Sequence, residues 1–486
     1  MRQIDSDTTA FPAFQVLPEP QLIFDPIDPA QRQPHPLRGL AQFGPYSKRL
    51  LGSALSTIRL AAVTPAGDSA KLTGLVEELA ASHKPRERLA YLPRFPGFAE
   101  IFGVQLALAG TGARLELPAD LDRAIHRDSD PHRALAEALG RAIGQLDQVR
   151  SRFDVAAIYL PSRWEAAFTG RADEDFDLHD YVKAIAASRD LPTQIVREDQ
   201  ALDYFCRCSV GWRLGIALYA KAGGTPWKLA DMQPDTAYIG LSYALRPGSQ
   251  GLPRFVTCCS QVFDADGGGL EFIAYQAESA TIEGDNPFLS RADMRAVMAR
   301  SARLYQDRHA GQLPRRLVVH KTTPFKDEEI DGCFDAWSAA RSREIELLQV
   351  QSSSAWRGIR LLGPRGGAER RGRPDPYPIH RGTIVHLSGT EVLLWVQGNA
   401  PTAVGGANFF KEQRGIPRPL LLTRHAGQGP ASQFCREVLA LSKMNWNNDS
   451  LYDFLPTTLD YAHTLARTLK RMPVIDPRPY PFRLFM

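Results

Sequence analysis

Residues 237–278, AYIGLSYALRPGSQGLPRFVTCCSQVFDADGGGLEFIAYQAE, contain three runs of apolar and β-branched residues separated by turns rich in Gly and Pro. Runs of this kind, joined by short turns, predict an antiparallel meander of three strands. The helical pattern RADMRAVMARSARLYQDRH (291–309) follows and leads to the apolar strand of LPRRLVVHKTTPF (313–325). Three antiparallel strands followed by α/β crossovers are the order expected of an RNase H-like sheet.

Strands and helices alternate in the part of the chain that precedes this meander. The sequence predicts amphipathic helices at 71–83, 131–146, 177–188 and 213–224, and buried strands at 58–64, 155–161 and 193–198. Such alternation is typical of a doubly wound, Rossmann-like parallel sheet. The predicted fold class is therefore α/β, with a Rossmann-like domain followed by an RNase H-like domain.

These patterns divide the chain. Residues 1–40 are rich in Pro and polar residues, and we expect an extended or loosely packed N-terminal arm. The Rossmann-like domain is predicted at 41–232 and the RNase H-like domain at 233–486. The stretch GPRGGAERRGRPDPYP (363–378) is predicted to be an exposed loop, whose arginines are either solvated or available to phosphate.

Composition excludes several classes of protein. The chain of 486 residues is 44% hydrophobic and 23% charged, as is usual for globular proteins, and its net charge of +4 is a weak signal for nucleic-acid binding. The N-terminus has no apolar segment of a secretory signal, and no apolar run approaches the ~18 residues of a membrane span. The six cysteines include no C-x-x-C pair, so neither a zinc ribbon nor a disulfide scaffold is indicated. We expect a cytoplasmic protein that does not contact membranes.

One short motif suggests a nucleophile. GLSYA (240–244) matches the G-x-S-x-G/A elbow of α/β-hydrolases, with Ser242 as the nucleophile. The elbow requires a helix directly after the serine, whereas the segment that follows is rich in turn residues. Ser242 is therefore interpreted as a residue within a strand, and a hydrolase built on Ser242 and His463 is kept as an alternative.

A second group of residues suggests an anion site. His179 and Lys183 are four residues apart, so they share one face of a predicted helix. Gln194 opens the next strand, and Lys221 precedes a Gly-Gly pair. Two cations and an amide from successive βα connections, directed at one point, would suit a terminal phosphate. Each of these residues by itself would be an ordinary solvated side chain.

The C-terminal half resembles the end of an Argonaute PIWI domain, a domain with an RNase H-like fold. In KMNWNNDSLYDFLPTTLDYAHTLARTLKR (443–471) a Pro-Thr-Thr stretch leads into a Tyr-Ala-His helix, and EVLLWVQGNAP (391–401) and GIPRPLLLTRHAG (415–427) precede it. Because no stretch before residue 50 is long enough for the N and PAZ domains, the chain resembles the short prokaryotic Argonautes, which have MID and PIWI domains only.

The resemblance extends to the MID domain and implies a guide site. The spacing of His179, Lys183, Gln194 and Lys221 is similar to the family's 5′-phosphate pocket in its His/Lys variant, which implies a small 5′-phosphorylated guide, RNA or DNA. It also implies Mg²⁺ beside that phosphate, bound by the C-terminal carboxylate of Met486. The preceding tail is proline-stiffened and ends in apolar residues, which favours a buried terminus. A carboxylate beside a phosphate needs a cation between them.

The resemblance implies that the nuclease site is inactive. Slicing Argonautes hold two divalent metals with an acidic set of residues. The first acid matches Ser242, the second matches Lys321, and the last position matches His463, a variant that active members can use. A serine carries no charge and an ammonium repels metal ions, so the metal site is lost. Lys321 then contacts either the nucleic-acid backbone or a neighbouring acid, and the glutamate of the set is unassigned among Glu271, Glu278 and Glu283.

The implied function is guide-dependent recognition of target DNA without cutting, in prokaryotic defence against plasmids or phages. Short members of the family act beside a partner chain in which an APAZ domain is fused to a TIR, sirtuin-like or nuclease effector. Enzymatic activity is then expected in that partner chain. An active slicer with an unorthodox acid set and the hydrolase described above are the alternatives.

Overall fold

The computed structural model of the chain describes residues 13–127, 130–172, 174–247, 253–264, 268–284, 286–338, 344–363, 373–410, 415–472, 476 and 478–486. Two sheets organise this part of the chain. The first unit is built from residues 57–221, and the second unit from residues 236–481.

The elements of residues 14–229 are strands and helices, and five of the strands form one parallel sheet. In chain order they are β1 (Phe14–Val16), β2 (Leu22–Ile23), β3 (Arg32–Gln33), α1 (Pro36–Phe43), α2 (Lys48–Ala54), β4 (Thr57–Thr64), α3 (Ser69–Ala80), α4 (Phe98–Phe102), β5 (Gln105–Leu108), β6 (Arg114–Glu116), α5 (Leu121–Arg127), α6 (Pro131–Asp147), β7 (Val155–Leu160), α7 (Leu178–Ala187), β8 (Thr193–Arg197), α8 (Arg207–Lys221) and β9 (Lys228–Leu229).

Strands β4 to β8 form a five-stranded sheet in which every pair is parallel. β4 lies between β7 on one side and both β5 and β6 on the other, and β8 follows β7 at the edge. Every residue of β7 is buried, as expected for a parallel strand that helices cover on both faces. The predicted Rossmann-like parallel sheet is confirmed. β5 and β6 were not predicted, because they are short and largely exposed.

The second unit contains the predicted meander and the crossovers that follow it. Its elements are β10 (Thr236–Pro247), β11 (Pro253–Phe263), β12 (Gly269–Gln276), β13 (Ala280–Glu283), β14 (Asn286–Leu289), α9 (Arg291–Arg308), β15 (Arg316–Lys321), α10 (Asp327–Ser338), β16 (Glu344–Gln351), β17 (Leu361–Leu362), β18 (Arg373–Pro374), β19 (Thr383–His386), β20 (Glu391–Leu394), β21 (Leu420–Ala426), α11 (Ala431–Leu441), α12 (Thr457–Arg471) and β22 (Pro479–Pro481).

Ten strands form the large sheet, in the order β1-β19-β20-β21-β16-β15-β10-β11-β12-β22. The central strands β10, β15 and β16 are parallel, and the other pairs are antiparallel. This is the predicted RNase H-like arrangement, in which an antiparallel meander is extended by crossovers. The predicted loop at 363–378 lies largely outside the described residues, and its residues 373–374 form β18.

The described part of the N-terminal arm, residues 13–40, is not loosely packed, and the helix α1 begins within it. β1 pairs with β19 at one edge of the large sheet, and β2 pairs with β9. Between them the buried carboxylate of Glu19 lies 3.0 Å from Arg381 and 2.8 Å from Lys443, two side chains that are also buried. Burial lowers the pKa of Lys443 to about 8, although Glu19 opposes this shift. A buried charge that lost this pairing would be costly, so the arm is fixed to the second unit.

Helix α12 packs unusually close to the central strand β10. A Cβ atom added at Gly240 would lie 1.8 Å from the main-chain oxygen of Thr458, so this position requires glycine. On the adjacent strand, the ring of His320 hydrogen-bonds the Thr458 hydroxyl through Nδ1 at 2.8 Å. These contacts fix where α12 begins.

A single hydrophobic cluster connects the two units. It contains Leu60 of β4, Tyr238 of β10, Leu465 of α12 and the C-terminal Met486, all of them buried. The loop before α12 and the chain's last residues therefore pack against the first unit. No helix within the described ranges is long and apolar enough to cross a membrane.

Candidate functional site

The first half of α7, the start of β8 and the end of α8 converge beside the second unit. Asp177 caps α7 by accepting a hydrogen bond from the Asp180 main-chain N–H at 2.9 Å, which fixes the first turn. Because His179 and Lys183 are one helical turn apart, both face a cavity of about 210 Å³. Gln194 and Lys221 line the same cavity. The structure thus brings together the four residues that the sequence proposed for a phosphate site.

The two lysines of the cavity are buried, with 2% of Lys183 and 1% of Lys221 exposed. The Lys183 ammonium donates to the main-chain oxygen of Thr193 at 2.7 Å and to that of Met486. Lys221 donates to Gln194 Oε1 at 2.6 Å and to Asn447 Oδ1 at 3.1 Å. Within the described part of the chain, no Asp or Glu side chain pairs with either ammonium or lines the cavity.

The protonation of both lysines reflects their burial. Burial lowers the pKa of Lys183 to about 7. The pKa of Lys221 is well below its ordinary value because of burial and, second, because of the nearby charge of Lys183. Two desolvated cations that repel each other are stabilised by any anion between them. The cavity is therefore electrostatically suited to a small anion.

The hydrogen-bond donors of the two lysines also indicate a site for an anion. An ammonium has three N–H donors, and Lys183 and Lys221 each use two of them, so one donor of each remains for a ligand. The Nε2 group of Gln194 already donates to the Ile195 oxygen at 2.8 Å. Gln194 therefore orients Lys221 in this arrangement. His179 is half-exposed at the mouth of the cavity, with Nδ1 at 3.5 Å from Asp180.

Sequence reasoning missed Asn447, which adds no charge to the site but contacts Lys221. It lies in the loop between α11 and α12 of the second unit, and it reaches Lys221 across 226 positions of sequence. Arg197 and Arg213 also line the cavity and were not predicted. Spacing rules detect neighbours on one helix or on successive connections, so nothing in the local pattern around Asn447 indicated this contact.

A group of possible metal ligands lies beside the pocket. The donor atoms of Asp177, His179 and Asp180 are all within 4.8 Å of one another. The carboxylate of Asp180 is also 3.4 Å from Arg471 and 3.7 Å from Arg467, both in α12. Burial acts against ionisation of Asp180, but His179 and the two arginines keep its pKa below the ordinary value. Asp180 is therefore already neutralised by α12 and ties α7 to the second unit.

The end of β15 contains a buried ion pair. The ammonium of Lys321 lies 2.6 Å and 2.7 Å from the two carboxylate oxygens of Glu329 in α10, and both side chains are fully buried. The rings of Tyr243, Phe288 and Phe325 surround the ammonium at 5.4, 4.9 and 5.4 Å. Of the two predicted partners of Lys321, a neighbouring acid is the one observed.

The structure does not bring Ser242 and Lys321 together. Successive side chains alternate between the faces of a sheet. On β15, Leu317 and Val319 join the cluster packed under α9 and α10, and Lys321 continues that face. On β10, Tyr238 and Ala244 belong to the cluster on the α12 side, and Ser242 lies between them on that face. The two positions matched to the first and second acids thus face opposite sides of the large sheet.

The structure also gives the surroundings of Ser242, of His463 and of the three candidate glutamates. Ser242 is within β10, which continues to Pro247, so the helix of a nucleophile elbow does not follow it. His463 is half-buried in α12, and burial followed by the charge of Arg467 lowers its pKa. Of the three candidate glutamates, Glu271 pairs with Arg308 at 2.5 Å, Glu283 pairs with Lys326 at 2.8 Å, and Glu278 is exposed.

The fold is that of Argonaute proteins. The chain is similar to the structure of Clostridium butyricum Argonaute bound to a guide DNA (5′ deoxycytidine) and a 19-mer target DNA, with a TM-score of 0.64, 15% identity, and coverage of 96% of this chain and 54% of that one. It is similar to Aa-Ago with externally bound siRNA (TM-score 0.62, 14% identity, 97% and 56% coverage). A further structure of Aquifex aeolicus Argonaute gives 0.58, 13%, 98% and 57%.

The chain therefore spans about half the length of these solved structures. No protein-family model and no curated protein matches it in sequence.

Proposed function

We propose that this chain binds the 5′-phosphorylated end of a small guide nucleic acid and presents the guide for pairing with a target strand. The observation that carries this proposal is the pair of buried lysines, Lys183 and Lys221, which share a cavity of about 210 Å³ and each retain one N–H donor. A terminal phosphate would place negative charge between the two lysines and accept both hydrogen bonds. The Argonaute-like fold supports a nucleic-acid ligand over free phosphate.

The lining also suits Mg²⁺ once a phosphate is present. The main-chain oxygen of Met486 is at the cavity, where Lys183 donates to it. Mg²⁺ commonly takes one or two protein oxygens and completes its shell with phosphate oxygens and waters. We propose that Met486 supplies such an oxygen, as a carboxylate, and that Mg²⁺ adds positive charge beside the guide phosphate.

We propose that the target strand is recognised by base pairing with the guide and not by a protein surface that reads its bases. In guided systems, base pairing reads the sequence while the protein holds the backbones. The Clostridium butyricum structure holds a guide DNA and a target DNA. For the present chain we propose a guide, RNA or DNA, and a target DNA. Binding should weaken as salt rises, because phosphate contacts release counterions.

We further propose that the chain does not cut the target. The end of β15, where the resemblance places an acid, is occupied by the Lys321–Glu329 ion pair, which is enclosed by aromatic rings. The Lys321 ammonium is already paired with the Glu329 carboxylate, and a cation does not attract a metal ion. The proposed role is that of the recognition subunit in prokaryotic defence, with an effector activity in an APAZ-containing partner chain. A slicer that uses another acid set is the competing function.

Binding of paired oligonucleotides tests the proposal. The parent protein should bind a 5′-phosphorylated guide more tightly than the same guide with a 5′-hydroxyl, and the variant K183A/K221A should lose this preference, at about 1.5–3 kcal/mol per lost charged contact. Lys84→Ala, at an exposed lysine of the first unit, is the control. Equal binding of the two guides by the parent protein would reject the proposed pocket.

A further inference from the structure

Asn447 brings the second unit into the phosphate pocket. Its loop connects α11 to α12, whereas His179, Lys183, Gln194 and Lys221 belong to the first unit, and Met486 is a second contribution from beyond the first unit. Asn447 is half-buried and lines the cavity. A residue so placed either packs the wall of the pocket or contacts the ligand directly, and its hydrogen bonds distinguish the two roles.

The orientation of the Asn447 carboxamide follows from its partner. The Lys221 ammonium has donors and no acceptor, so the atom 3.1 Å from it must be the carboxamide oxygen. The Nδ2 group is then directed away from Lys221. Among the described residues, no hydrogen bond of this Nδ2 group is found, and its two N–H donors remain available.

The loop that carries Asn447 is held in place on both sides. The Asn447 main-chain N–H donates to Asn445 Oδ1 at 2.9 Å, and the hydroxyl of Tyr461 in α12 donates to the same oxygen at 3.1 Å. Two residues further on, Asp449 accepts hydrogen bonds from Arg88 at 2.6 Å and from Ser209 at 3.1 Å, both in the first unit. The carboxamide is therefore pre-organised and needs no loop closure.

We infer that Asn447 is a direct ligand of the guide's terminal phosphate, donating through Nδ2, and that it increases the pocket's preference for a 5′-phosphate over a 5′-hydroxyl. The inference rests on the proposed function and names a residue that deepens it. A neutral amide adds a donor without increasing the repulsion between the two lysines. With a 5′-hydroxyl guide, these N–H donors have no acceptor and the ammonium charges have no phosphate beside them, which is costly for buried groups.

Two substitutions at Asn447 test this role, with guide affinity measured by fluorescence anisotropy for 5′-phosphate and 5′-hydroxyl forms of one oligonucleotide. Asn447→Ala removes the donor and should reduce the phosphate preference about tenfold or more. Asn447→Asp keeps the size but adds a carboxylate that pairs with Lys221 and repels phosphate, so the reduction should be larger. Asn448→Ala is the matched control, because its side chain contacts Asp453 and not the pocket.

These experiments test the role of Asn447 separately from the proposed phosphate pocket. A parental preference in both Asn447 variants would overturn the role of Asn447 and leave the lysine pocket standing. A parent protein with no preference would remove the proposed function and this inference together. Thermal unfolding of each variant establishes that it is folded. A loss of preference in Asn448→Ala equal to that in Asn447→Ala would assign the effect to the loop's conformation and overturn direct contact.

Discussion

Asp449, in the loop before α12, accepts a hydrogen bond from Arg88 of the first unit, with 2.6 Å between Oδ2 and Nη2. The pair is largely buried, and Ser209 adds a second donor to the same carboxylate. The loop that brings Asn447 to the phosphate pocket is thus fastened to the first unit two residues beyond it. This contact connects the stability of the interface with the geometry of the pocket.

Removing this contact should weaken both the fold and guide binding. Arg88→Ala leaves the Asp449 carboxylate buried with Ser209 alone, and we expect a loss of about 1–3 kcal/mol in the free energy of unfolding. Chemical denaturation measures that loss, and anisotropy measures the accompanying decrease in guide affinity. Arg86→Ala, at an exposed arginine of the same segment, should change neither quantity. An Arg88→Ala variant as stable as the parent would show that the contact contributes little.

Guide binding should take up a proton above neutral pH. Burial lowers the pKa of Lys183 to about 7, so its amine is largely neutral at about pH 8.5 without ligand. A phosphate favours the ammonium and raises that pKa, so affinity should fall as pH rises from about 7 to 9. Calorimetry in buffers of different ionisation enthalpy measures the uptake, and a 5′-hydroxyl guide is the comparison. Binding at about pH 8.5 without proton uptake would contradict this assignment.

The same pKa has an opposite consequence for the ligand-free protein. The unfolded chain has an ordinary lysine, which binds more protons than folded Lys183 between pH 7 and its ordinary pKa. The contribution of Lys183 to stability therefore rises with pH over this range, while guide affinity falls. Denaturant titrations at two pH values, with Lys183→Ala as the reference, should show the rise in the parent and a smaller one in the variant.

The ion pair at the end of β15 should be required for stability but not for guide binding. Lys321→Ala leaves the Glu329 carboxylate buried without its partner, at an expected cost of about 3–5 kcal/mol. Replacing both residues in K321M/E329L should recover much of that loss, because no unpaired charge remains. Thermal unfolding and anisotropy measure the two properties. A double variant that is no more stable than Lys321→Ala would indicate that the pair itself stabilises the fold.

Restoring acids at the two matched positions should not produce a nuclease. Ser242→Asp points to the α12 side of the sheet, whereas Lys321→Asp would place a second carboxylate against Glu329 on the other side. We expect S242D/K321D to be less stable than the parent and to leave a matched target uncut in Mg²⁺ or Mn²⁺. A denaturing gel of labelled target reports cutting. Metal-dependent cleavage by the unaltered chain would favour the slicer.

The local pattern of apolar and turn residues in the sequence was enough to predict much of the fold. The apolar runs at 58–64 and 155–161 became β4 and β7, and the meander became β10 to β12, because burial and turn chemistry act over short stretches. The spacing of His179 and Lys183 likewise predicted a shared helix face. Asn447 was not predicted because it reaches the pocket from a distant element, and Glu329 was not predicted because the turn between β15 and α10 decides which acid meets Lys321.

The opposite orientations of Ser242 and Lys321 show a second limit. Matching residues to a family motif aligns positions along the chain but does not fix strand register, and a shift of one residue moves a side chain to the other face. The register Gly240 to His320 places Lys321 on the face of α10. The face of the sheet on which Lys321 lies is therefore fixed by the pairing of β10 with β15.

The dependence of the pocket on Asn447 and Met486 also sets an order of events during synthesis. The lysines of α7 and α8 leave the ribosome before the loop at 447 and the strand β22, so the pocket remains incomplete until those segments have been made. Under the proposed function, a nascent chain that lacks the loop at 447 cannot complete the pocket, so guide loading follows the synthesis of that loop.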